Sequence, residues 1–305
     1  MVKDFLKDWE LVFEDLTSIR IDLPYDVLIH EKRYKECASG EACAFFQGKK
    51  YIFKKIFDIQ KGDNSYFSLF FEGVYRNAKV VLNDVELGIN KYGFSEFSFD
   101  VSNLIKEGRN KLEVYVDNSL VPSARFYTGA GIYRPVSLIV KRKKEINSIK
   151  IKTLSYKEKK IEVLIDSLLK PIIKIYDKNN CIYNGEDKVI TLKDAKLWSD
   201  ENPYLYRLVV ETKNDKEEIT FGIRELSFIN EKGLFVNGKE VKLKGVCIHS
   251  DNGIVGMASY KEIEYQRIKL LKEAGFNAIR SAHNPCSRYI LDACDFYGIY
   301  IIDEL

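Results

Sequence analysis

The sequence predicts a multidomain fold in three parts. These are a β-sandwich or jelly roll over residues 1–142, an immunoglobulin-like β-sandwich over 143–226, and the opening of a parallel α/β domain over 227–305. Three observations predict it. Short runs rich in aromatic and β-branched residues recur through the first part, separated by turn residues. The second part repeats that pattern on a smaller scale, as a small sandwich does. From Val241 onward the pattern becomes strand, helix, strand, helix, strand, the order of a parallel α/β unit.

In the first part the strand candidates are YIFKKIF, SYFSLFF, AKVVLN, FSEFSFDV and KLEVYVD. Turn residues fall between them, as at Gln60–Asn64 and Gly88–Gly93. Asn83-Asp84 is a hairpin turn signal, and FSEFSFD alternates apolar and polar residues as a half-buried strand should. Many short strands at this spacing predict a sandwich or jelly roll. The second part offers SIKIKT, KIEVLID, IIKIY, LYRLVVE and EITFGIR. It lacks the cysteine pair of antibody domains, so only the architecture is expected to match. Asn237-Gly238 marks a tight turn on the way into the third part.

The third part reads LKGVCIH (strand), SYKEIEYQRIKLLKEAG (helix), FNAIRSAH (strand), SRYILDACDFYG (helix) and IYIID (strand). Ser259 and Glu262 form a capping box for the first helix, which should bury Ile263, Leu270, Leu271 and Ala274 and stop at Gly275. The second helix should start at Ser287, bury Ile290, Ala293, Cys294 and Tyr297, and stop at Gly298. Polar residues cluster at the strand ends: His249 ends the first, with Asp251 just beyond it, Arg280 and His283 end the second, and Asp303 and Glu304 end the third. In parallel barrels the carboxyl ends of the strands build the active-site face. The chain has three histidines, and two of them are placed there.

A strand-end histidine is often no more than a buried imidazole held by backbone groups. Asp251 before Asn252-Gly253 is equally a turn former, and Arg280 could pair with Asp303 or Glu304 for structure alone. The functional alternative is sugar recognition. Imidazole donates or accepts hydrogen bonds, and a carboxylate can accept from two hydroxyls at once. Asp303 and Glu304 are not expected to be a catalytic pair, because adjacent strand residues point to opposite sides.

GVCIHSDNGIVG followed by LLKEAGFNAIRSAHNPCSRYILDACDFYGIYIIDE resembles the start of the barrel of glycoside hydrolase family 2, which includes β-galactosidases, β-glucuronidases and β-mannosidases. The likeness is greatest to the β-galactosidases. FFEGVYRNAKVVLNDVELGINKYGFSEFSFDVSNLIKEGRNKLEVYVDNS is similar to that family's sugar-binding jelly roll. RFYTGAGIYRPV resembles the loop and strand that close it, and LWSDENPYLYRL, with Trp198 and Pro203, resembles part of its middle domain. Where many members carry an aspartate ahead of the Gly-Ile-aromatic-Arg turn, this sequence has Arg125.

The resemblance implies an incomplete (β/α)8 TIM barrel and a retaining exo-β-glycosidase of β-galactosidase type. It implies substrate binding by His249, Asp251 and His283, with Arg280 beside the nucleophile, keeping it ionised and oriented. The acid/base and the nucleophile are expected beyond Leu305, so the chain alone should be inactive. The magnesium ions of some members should also be bound mostly beyond that point. The expected substrate is a β-linked sugar. A missing carboxyl-terminal half, completing the barrel in trans, or a homo-oligomer is the expected protein partner. The rival is a non-catalytic carbohydrate-binding or interaction remnant.

A formal net charge of +3 argues against a dedicated nucleic-acid binder. No window reads as a signal peptide or a membrane span. The six cysteines show neither metal nor disulfide spacing. Cys247 and Cys294 read as small buried hydrophobes, and reduced thiols imply a cytoplasmic location.

Overall fold

The structure, a computed structural model, describes residues 2–62, 65–120, 124 and 126–304. Two antiparallel sheets open the chain. A six-stranded sheet runs in the order Ser18–Ile21, Trp9–Val12, Lys50–Ile59, Gly108–Asp117, Ala78–Leu82 and Val85–Asn90. A four-stranded sheet runs Val2–Asp4, Val136–Lys141, Tyr66–Phe71, Phe97–Asp100. Their inward residues form one core, with Trp9, Leu11, Phe53, Phe67, Leu69 and Val114 fully buried. This is the jelly roll. Asn83 and Asp84 take φ of 50° and 67°, the paired left-handed conformation that a two-residue hairpin loop needs. The turn expected at Gln60–Asn64 lies partly outside the described residues.

The second sandwich pairs Ile146–Ser155, Lys160–Ser167 and Val189–Thr191 against a sheet of Asn180–Gly185, Ile172–Asp177, Tyr206–Glu211 and Lys216–Phe221. Ile161, Val163, Ile173, Ile175, Leu208 and Val210 fill the space between. A small sheet follows, Leu226–Ile229, Gly233–Val236 and Lys239–Glu240, turning at Asn237-Gly238 with φ of 51° and 75°.

The third part has three parallel strands, Gly245–Ile248, Ala278–Ser281 and Tyr300–Ile302, joined by helices Lys261–Glu273 and Arg288–Tyr297. Register decides what each face carries. Val246, Ile279 and Ile301 align and pack toward the helices with Ile268, Ile290 and Cys294. Cys247, Arg280 and Ile302 align on the other face, the inside of the barrel wall. Beneath the strands Trp198 packs with Val236, Ala278 and Tyr300, and its Nε1 donates to the Asp295 carbonyl at 2.8 Å. Trp198 thereby ties the second sandwich to the barrel floor. Among the described residues no helix is long and apolar enough to cross a membrane.

Three expectations need correcting. The first helix has no capping box. It starts at Lys261 without a side-chain cap, and the Ser259 hydroxyl donates instead to buried Glu264 at 2.9 Å. A charged carboxylate shut off from water competes better for that hydroxyl than a solvated helix end. The same helix buries Glu264 and Ile268, while Leu270 is 53% exposed and Ala274 is exposed. Its contacts come from the second helix on one flank, and that flank selects the buried stripe. Cys247 is exposed rather than buried, because its register turns it to the open inner face. The second helix follows the sequence closely: the Ser287 hydroxyl accepts from Ile290 N at 3.3 Å, and Gly298 ends it at φ 75°.

Candidate functional site

His249 directly follows the first barrel strand, Arg280 lies within the second, and His283 sits two residues past the second strand's end. The structure brings these three together. The two imidazoles meet edge to face, their centroids 5.5 Å apart. Arg280 Nη2 lies 3.4 Å from His283 Nδ1. Glu304, just past the third strand, receives both: an ion pair from Arg280 and a contact from His283 Nδ1 at 3.2 Å. Arg280 Nη1 also reaches Cys247 Sγ at 3.6 Å. A guanidinium has five N–H donors, so these contacts do not exhaust it. Asp303 turns the other way and accepts from Cys286 N at 3.0 Å. The two neighbouring carboxylates therefore diverge.

Asp251 is exposed, on the loop after His249. That loop is tightly held. Asn252 N donates to the Gly256 carbonyl at 2.6 Å, and its Nδ2 donates to Glu264 Oε1 at 3.1 Å. Arg267, paired with Glu264, donates to Asn252 Oδ1 at 2.7 Å and to the His249 carbonyl at 2.9 Å. Glu264 is 1% exposed, so this network works out of water, where each charged hydrogen bond counts for more. Among the described residues no group of three His, Cys, Asp or Glu side chains could hold a metal ion.

The jelly roll supplies the remaining wall. Phe126 stands 5.1 Å from the His249 ring and 6.0 Å from the His283 ring. Buried Arg134 donates to the Phe94 carbonyl at 3.2 Å and to the Pro285 carbonyl at 2.7 Å, tying the sandwich to the loop after His283. Burial, then the charges of Asp26 and Asp251, push the Tyr127 hydroxyl far above its ordinary pKa, so it stays a donor. Phe126 and Arg134 belong to the segment RFYTGAGIYRPV, and Arg134 is the arginine of its Gly-Ile-aromatic-Arg turn, but nothing in the sequence singles out Phe126 or Asp26. Arg125 lies outside the described residues. A separate cleft of about 800 Å³ opens at the amino-terminal end of the strands, beside Asp200, Lys244, Asn277 and Tyr300, away from the imidazoles.

A jelly roll, a small sandwich and a parallel barrel wall, with polar side chains gathered at the strand ends under a jelly-roll loop, define the scaffold of a glycoside hydrolase. Three family models match in succession. They are the galactose-binding domain-like model of glycosyl hydrolase 2 over residues 16–147, glycosyl hydrolases family 2 over 136–224, and the family 2 TIM barrel domain over 228–305. The chain belongs to glycosyl hydrolases family 2, the family of the β-galactosidases and β-glucuronidases.

Relatives agree. A putative beta-glucuronidase from Formosa agariphila is 34% identical over 99% of this chain and 33% of its own length. A beta-galactosidase of Bacteroides ovatus is 31% identical over 93% of this chain and 37% of its own. The crystal structure of a beta-glycosidase from Bacteroides vulgatus superposes with a TM-score of 0.89 at 29% identity, covering 100% of this chain and 44% of that one. The chain thus spans about a third of the length of these two curated relatives.

Proposed function

We propose that the chain supplies the sugar-holding rim of a retaining exo-β-glycosidase of β-galactosidase type. The observation that carries this is the convergence of His249, Arg280 and His283 against Phe126 on one lip of the parallel strands. A pyranose presents hydroxyls at fixed angles around an apolar ring. His249 and His283 exchange hydrogen bonds with those hydroxyls, exposed Asp251 accepts from two of them, and Phe126 faces the ring's C–H surface.

Arg280 acts on the enzyme rather than the sugar. Its fixed charge keeps the nucleophilic carboxylate ionised and aimed. In a retaining enzyme one carboxylic acid protonates the leaving oxygen while a carboxylate about 5 Å away attacks the anomeric carbon, and water then releases the sugar. Asp303 and Glu304 diverge and cannot be that pair. Both catalytic carboxylates then stand on barrel strands other than the three described.

The test is hydrolysis of aryl β-galactoside, β-glucuronide and β-mannoside, with and without a polypeptide carrying the further barrel strands. No turnover is expected from the 305-residue chain alone, and the galactoside should turn over fastest after complementation. Turnover by the chain alone would overturn the assignment of the carboxylates. Undiminished activity of a complemented His249→Ala chain would overturn the sugar-holding role.

A further inference from the structure

Asp26 lies in the jelly roll, 231 residues before Met257, and is 1% exposed. Four donors converge on its carboxylate. Oδ1 accepts from Leu28 N and Ala130 N, each at 3.0 Å, and Oδ2 accepts from the Tyr127 hydroxyl at 2.6 Å and Met257 N at 2.8 Å. Three chain segments therefore meet on one side chain: its own turn, the 126–130 loop and the 250–258 loop.

Two glycines make room for it. A Cβ at Gly129 would come within 2.7 Å of Asp26 Oδ2, and one at Gly256 within 2.2 Å. Both glycines also hold positive φ, 63° and 60°, which side chains rarely adopt. Each of the two outer segments carries rim residues close by. Phe126 is next to Tyr127, and His249 and Asp251 precede Met257 on a loop closed by Asn252 and Gly256. Further ties lie alongside, from Ser259 N to the Tyr133 carbonyl and from the Tyr260 hydroxyl to the Pro24 carbonyl, each at 2.9 Å.

We propose that Asp26 is a positioning residue: its carboxylate latches the jelly-roll loop bearing Phe126 to the barrel loop following His249 and Asp251, and so sets the width of the sugar-holding rim. This rests on the sugar-holding function proposed above, and it adds a determinant that never touches the sugar. A carboxylate suits the task because each of its two oxygens can accept from two donors, whereas an amide would turn its N–H groups toward two of them.

The test uses the full 305-residue chain with the variants Asp26→Asn and Tyr127→Phe. Phe126 ring currents fall on both imidazoles, so the ring-proton resonances of His249 and His283 report the spacing of the rim. Asp26→Asn should shift both sets and strip exchange protection from Met257 and Ala130 N–H, while Phe53 and Val114 in the jelly-roll core keep theirs. Affinity for methyl β-D-galactopyranoside should fall about tenfold. Tyr127→Phe removes one of the four bonds and should act in the same direction but less, and it carries the test if the asparagine variant does not fold.

Unchanged imidazole resonances and unchanged Met257 protection in both variants would overturn the latch. An opened latch with unaltered galactoside affinity would overturn the positioning role and leave a purely structural one. If the wild-type chain binds no galactoside, the sugar-holding function fails, and the resonances and exchange rates still judge the latch.

Discussion

In the amino-terminal jelly roll, side chains from two sheets meet face to face, and residues such as Trp9, Phe53, Phe67 and Leu112 lose all contact with water. The barrel wall is covered on one side only. Val246, Ile279 and Ile301 pack toward the helices, while Cys247, Arg280 and Ile302 look out from the opposite face. The difference teaches where each region gets its order. The jelly roll is organised by its own core. The rim loops of the barrel take much of theirs from the jelly roll, through Asp26, Arg134 and the Tyr133 carbonyl.

The sharpest way to break this comparison is to truncate one residue from each region. Trp9→Ala removes a fully buried indole and the Nε1 hydrogen bond to the Phe5 carbonyl. It should cost about 3–5 kcal/mol in urea unfolding. Ile302→Ala, at a side chain 52% exposed, should stay within about 0.5 kcal/mol. Equal costs would mean that the inner barrel face is as closed as the sandwich.

A smaller effect probes the seam between the regions. Burial pushes the Glu72 carboxyl up to about 7, with Arg288 opposing and Glu96 reinforcing. The folded chain then keeps a proton that the unfolded chain, with the ordinary value of 4.5, has already lost. Stability contributed by this group is full below that lower value, falls as pH rises through the window, and is gone above the folded value. Glu72→Gln should therefore stabilise at pH 8, by roughly 1–3 kcal/mol, and change little at pH 4.5. Thermal unfolding at both pH values checks it, and a stabilisation of equal size at both would refute the assignment.

A small effect also belongs to the rim itself. Arg280 and Glu304 form a partly exposed pair, with side chains 42% and 24% accessible. Arg280→Ala should change unfolding free energy by less than about 1 kcal/mol. A much larger loss would make Arg280 a structural residue of the barrel wall.

Legibility followed the range of the interactions. Asn83-Asp84 and Asn237-Gly238 could be read because a two-residue hairpin is a local event. Ser287 and Gly298 bound the second helix for the same reason. The short edge strands Asn180–Gly185 and Val189–Thr191 carry little periodic signal and cannot be read from the sequence. At the rim, strand-end position singles out His249, Arg280 and His283, and the structure places them side by side. Phe126 and Asp26 carry no such signal. Nothing near either residue in the chain announces a partner more than a hundred positions away.

The sequence by itself determined the alternation of strand and helix, the tight turns, and which residues stand at the carboxyl ends of the parallel strands. Those depend on local backbone preference and on the period of apolar side chains. Only the tertiary structure decided that Ser259 would serve Glu264 rather than a helix cap, that Cys247 would stand on the open inner face of the barrel wall, and that an aspartate of the jelly roll would grip a barrel loop. Each of those outcomes turns on how whole elements pack against one another, and such packing leaves no periodic trace in the chain.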